Sequence, residues 1–89
     1  MTRLDKIRAA LEAALAPQHL EIEDQSHEHA GHAGAATGRG HFRVDIVAAA
    51  FAGESAVARH RRVYAALGAL MDTDIHALSL RARAPGEPQ

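Results

Sequence analysis

The sequence predicts an α+β domain, with two helices packed on one face of a three-stranded mixed sheet in the order α-β-β-α-β. Three observations carry that prediction. Apolar residues recur at helical spacing in two separate stretches, about residues 3–15 and 56–71. Apolar and polar residues alternate in three short segments, about 20–24, 42–48 and 76–82. The strand, helix, strand succession in the second half favours a right-handed crossover, which leaves the last two strands parallel.

The first helix rests on Leu4, Ile7, Leu11 and Leu15, with Arg3, Lys6, Arg8 and Glu12 left to face water. Thr2 can cap it, Asp5 stands three residues on, and Pro17 ends it. Leu20-Glu21-Ile22-Glu23-Asp24 then alternates apolar and acidic residues as a half-buried strand does. Residues 25–40 hold four of the seven glycines and three of the seven histidines, have no apolar period, and read as a long loop of the kind that tends to be functional. Phe42, Val44 and Ile46 make the second strand, and an antiparallel pairing with the first is simplest. After the turn Phe51-Ala52-Gly53-Glu54, Ser55 can cap a second helix. Its apolar face gathers Val57, Val63, Tyr64, Leu67, Leu70 and Met71, with His60 in the middle. In the third strand His76, Leu78 and Leu80 share a face by alternation. Residues 1–83 are expected to form one domain, and the Pro/Gly tail 84–89 to be disordered.

With 89 residues and much of its apolar content in alanine, the chain must build its core from a short list of larger residues. Its seven histidines stand against no cysteine, so nothing can be stapled by a disulfide and no thiolate is on offer. No apolar leader opens the chain, and no run approaches the roughly 20 residues of a membrane span. A soluble, cytoplasmic protein with no membrane association is expected. A formal charge of −1 speaks against a general polyanion binder but leaves local basic patches open.

The histidines are the candidate chemistry. His27, His29 and His32 crowd the loop, His41 opens the second strand and His76 the third. Neutral imidazole is the commonest side-chain ligand for borderline metals. Read from pattern alone, His76 is a half-buried histidine that finds a hydrogen bond, His32 is solvated, and His60 is a satisfied core residue. His41, beside Phe42, has a supporting or structural part. Arg59, Arg61 and Arg62 form the best basic cluster, either a solvated flank or a contact surface for phosphate or an acidic partner. Gly31-His32-Ala33-Gly34 matches a GXXG clamp in letters, but it lies between strands rather than between helices. No P-loop, dinucleotide fingerprint or Ser/His/Asp arrangement is present, and no enzyme is expected.

Four blocks fall together in order and spacing: Asp24-Gln25-Ser26-His27 running into Ala30-Gly31-His32; His41-Phe42-Arg43-Val44; Phe51-Ala52-Gly53 leading to Arg59-His60-Arg61-Arg62-Val63-Tyr64; and Ile75-His76-Ala77-Leu78. Together they resemble the BolA family over nearly the whole chain. Gln25 and the spacer from Ala33 to Arg39 depart from the family pattern. The resemblance implies a class II KH-like fold. It also implies a partnership with a monothiol glutaredoxin, in which a 2Fe-2S cluster is shared with the glutaredoxin cysteine and glutathione. The isolated chain would then be a monomer without cofactor, and the loaded form a heterodimer. In the cysteine-free branch the implied ligands are His32 and His76; His27 and His29 are secondary candidates from their own spacing, which in an extended segment could bring both toward one metal. A metal-binding loop built on His27, His29 and His32 alone remains a separate reading, as does a DNA-binding transcriptional regulator that uses the second helix.

Overall fold

A computed structural model describes residues 1–26 and 39–88. Helix α1 spans Arg3–Leu15 and begins with a full capping box. The Asp5 N–H donates to Thr2 Oγ1 and the Thr2 N–H donates to Asp5 Oδ2, both at 3.1 Å. Strand β1, His19–Asp24, pairs antiparallel with β2, Gly40–Val47, from His19↔Val47 to Asp24↔Phe42. A single 3-10 turn at Ala49–Phe51 leads to α2, Ala56–Leu67, whose Ser55 hydroxyl caps the Ala58 N–H. A short helix α3, Leu70–Thr73, precedes β3, Ile75–Arg83, which runs parallel to β2. The sheet order is β1-β2-β3.

The core follows from the alternation. Phe42, Val44 and Ile46 of β2 are buried on the face that the helices cover, against Ile7 and Leu11 of α1 and Val63 and Leu67 of α2. Leu20 and Ile22 of β1 and Leu78 and Leu80 of β3 pack around them. This is the expected architecture of two main helices on one face of a mixed sheet. The opposite parity, Arg43 and Asp45 with Glu21 and Glu23, leaves the other face polar.

Several local expectations are corrected. The second helix stops at Leu67 rather than 71, because Gly68 adopts φ 52 and its N–H closes on the Tyr64 carbonyl at 2.9 Å. Leu70 and Met71 therefore belong to a separate short helix. The buried face of α2 centres on Val63 and Leu67, which turns Val57 (60% exposed) and Tyr64 (40%) outward. His60 is not a core residue. It lies at the edge of that face, with Nδ1 2.8 Å from the Ala56 carbonyl and its ring edge-on to Tyr64.

Residues 84–88 are not a featureless tail either. Ala84 is buried, and its N–H donates to Glu87 Oε1 at 3.0 Å. Arg59 grips both Glu87 oxygens at 2.6 and 2.7 Å. A two-pronged charge-assisted contact can hold a Pro/Gly segment that has no periodicity of its own.

Candidate metal centre

The ladder between β2 and β3 runs in regular register from Phe42↔Leu78 to Val47↔Arg83 and breaks at its start. Gly40 pairs with Ile75 and His41 with Ala77, so His76 is one extra residue in β3. A bulge of this kind bends the strand and re-aims a side chain. It takes His76 out of alternation with Leu78 and Leu80, which remain half-buried while His76 is exposed. The shared face expected from the sequence does not form. Instead the His76 ring stands against His41, with centroids 5.1 Å apart and planes tilted by 48°.

The corner around this pair is tightly tied. The His41 N–H donates to Ser26 Oγ at 3.1 Å, and the Gln25 N–H donates to the His41 carbonyl at 2.8 Å. The Ser26 N–H in turn donates to Asp24 Oδ1 at 2.9 Å. A Cβ on Gly40 would lie 2.6 Å from Ser26 Oγ and 2.7 Å from the Phe42 ring, so only glycine lets these segments meet. Ser26 and Arg39 thus lie beside the start of β2, whose second residue is His41. Beside them is a shallow cavity of about 240 Å³, lined by Gln25, His41, Phe42, Ala77, Leu78 and Ser79. His27, His29 and His32 lie outside the described residues.

Asp74 closes the other side of the corner. It is the buried charged residue among the described ones, at 8% exposure. Its carbonyl accepts the Gly40 N–H at 2.9 Å. Its carboxylate accepts the Thr73 hydroxyl at 2.6 Å and Lys6 Nζ at 3.1 Å, with Arg3 Nε at 3.6 Å. The Thr73 hydroxyl, and then Lys6, hold this carboxyl below its ordinary pKa.

Among the described residues no group of three or more His, Cys, Asp or Glu side chains is placed to hold a metal ion. One exposed imidazole with a second beside it fits a site completed by other ligands, not a closed structural site. The pairing of His41 with His76 was missed in the sequence. The available signal was that both histidines open strands expected to lie parallel and adjacent.

The three arginines of α2 are divided. Arg59, 13% exposed, donates to the Glu54 and Ala82 carbonyls and to Glu87, so its guanidinium is spent on holding the chain end. Arg62 Nε lies 2.5 Å from Glu54 Oε1. Arg61 is exposed and makes no ion pair among the described residues.

A family model described as BolA-like protein matches residues 11–87. Protein BOLA1, chloroplastic, of Arabidopsis thaliana is 45% identical over 89 residues, covering 96% of this chain and 55% of the relative. The DNA-binding transcriptional regulator BolA of Escherichia coli (strain K12) is 38% identical over 76 residues, covering 85% and 70%. The solved BolA domain of SufE1 from Arabidopsis thaliana superposes with a TM-score of 0.86 at 42% identity, covering 99% of this chain and 98% of that one. The chain spans about half the length of the chloroplastic relative and 24% of the SufE-like protein.

Proposed function

The chain belongs to the BolA family, and from that premise we propose that it is an interaction protein that lends imidazoles to a 2Fe-2S cluster held mainly by a monothiol glutaredoxin. His76 is the described ligand in this reading, and His32, beyond the described residues, is its partner. The glutaredoxin cysteine and a glutathione thiol complete the set. The observation that carries the reading is the exposed His76 imidazole, set out of its strand by a bulge in a chain that has no thiolate. When bound, such a cluster supplies electron transfer or iron and sulfide for delivery, and neutral nitrogen ligands raise its reduction potential relative to thiolates.

The chain's own contribution is presentation. The bulge exposes His76, the Ser26–His41 hydrogen bond ties residue 26 to the start of β2, and Gly40 permits that close approach. His27 and His29, outside the described residues, are secondary candidates. Among the described residues no helix is long and apolar enough to cross a membrane.

The test mixes the purified chain with the host's monothiol glutaredoxin, iron, sulfide and glutathione, and records visible circular dichroism and native mass. A one-to-one heterodimer with a cluster spectrum is expected. His76→Ala and His32→Ala should each change that spectrum and hasten cluster loss by at least about tenfold. An identical spectrum from the doubly substituted chain rules these histidines out as ligands.

A second reading, direct DNA binding through α2, draws on the name of the Escherichia coli relative. The exposed Arg61 is its best contact, since Arg59 and Arg62 are already engaged.

A further inference from the structure

A bulged residue has no ladder partner, so its position is set by the residues on either side. For His76 these are Ala77, paired with His41, and Ile75, paired with Gly40 and buried at 1% exposure. The next residue back is Asp74, whose backbone and side chain face different elements. Its carbonyl takes the N–H of Gly40 at the mouth of β2, its N–H reaches the Leu70 carbonyl of α3 at 2.9 Å, and its carboxylate is held by Lys6 and Arg3 of α1. A single side chain thereby joins the first turns of α1 to the strand opening that carries His76.

We propose that Asp74, clamped by Lys6 and Arg3, is a positioning residue for His76, so that the start of α1 sets how this chain presents its imidazole. The proposal rests on the reading of His76 as a ligand. Aspartate is almost never buried without partners, and here, beside the adjacent Thr73 hydroxyl, they come from α1, with Lys6 68 residues away in sequence. Stability alone does not call for such a pair, because Lys6 and Arg3 are themselves exposed and ion pairs that reach into water contribute little. What the pair supplies is a fixed direction. The Lys6 bond holds the carboxylate, the Asp74 carbonyl holds Gly40, and Gly40 holds Ile75 in register immediately before His76. Groups that orient a metal ligand from behind typically account for about 10–100-fold in affinity.

The experiment uses the double variant Arg3→Gln/Lys6→Met and, as an isosteric second variant, Asp74→Asn, with Lys6→Arg as the conservative rescue. In the isolated chain, NMR follows the nuclear Overhauser contact between the His41 and His76 rings alongside the dispersion of core methyl signals. In the mixture with monothiol glutaredoxin, iron, sulfide and glutathione, visible circular dichroism follows cluster loss to a chelator. The expected result for both variants is a folded core, a lost or weakened ring–ring contact and cluster release about tenfold faster. Lys6→Arg should restore both. A lower melting temperature with ring contact and release rate unchanged would show that Asp74 only stabilises the fold, and overturns the proposal. Should wild type and His76→Ala form the same cluster species, the ligand reading fails. The ring–ring contact then still decides whether Asp74 positions His76.

Discussion

Gly40 shows how one residue serves both packing and site. Any side chain there would press on Ser26 Oγ and the Phe42 ring, the first a partner of His41 and the second the largest buried side chain of the sheet. Gly40→Ala is expected to cost about 1–3 kcal/mol in chemical denaturation, since overpacking forces neighbours off their preferred positions. Because Ser26 is the closest atom, the amide signals of His41 and His76 should shift more than those of α2. A variant as stable as wild type, with unmoved His41 and His76 signals, would mean the corner yields without strain. In the sequence Gly40 was one glycine among several in a loop, and nothing in its neighbours marks the close approach.

At the scale of elements, α2 is joined to the chain end by the fork between Arg59 and Glu87. The Arg59 guanidinium, helped by the Ala84 N–H, pulls the Glu87 carboxyl from 4.5 to about 2. A carboxylate lowered in this way contributes stability that is fully present above its unfolded pKa and is lost as pH falls through the folded one. Wild type should therefore exceed Glu87→Gln in stability above about pH 4.5, and the difference should shrink as pH approaches 2. Denaturation curves across that window check it, and a constant difference would uncouple the fork from the ionisation of Glu87. The same contact explains why residues 84–88 have a defined place despite their composition. It also shows why Arg59, expected as a candidate contact for phosphate, has a structural part.

For the whole molecule, charge limits the regulator reading. The formal charge is −1, and the edge strand β1 carries Glu21, Glu23 and Asp24. Each arginine that engages a phosphate adds about 0.9 to the slope of log affinity against log salt. Arg61→Gln is thus expected to flatten the slope by about 0.9 if α2 meets DNA, whereas Arg59→Gln should lower the melting temperature and leave the slope unchanged. Fluorescence anisotropy with duplex DNA at several salt concentrations measures both. Equal slopes for wild type and Arg61→Gln would remove α2 as the DNA-contacting element.

Periodicity was enough to determine the element order, the bounds of α1 and the inward faces of β1 and β2, because burial on one face repeats every 3.6 or 2 residues and leaves that mark in the chain. Thr2, Ser55 and the Leu, Ile, Val and Phe positions are local signals of this kind. The composition likewise fixes what the chain can offer: seven imidazoles and no thiolate. Tertiary structure decided what no local window contains: the bulge that turns His76 toward His41, the burial of Asp74 against Lys6, and the fork that holds the chain end. It also decided the rotation of α2 that exposes Val57 and Tyr64 and leaves His60 at the edge of the core. Each of these joins residues distant in the chain. Their energies depend on register and approach distance, which become defined only when the helices close on the sheet.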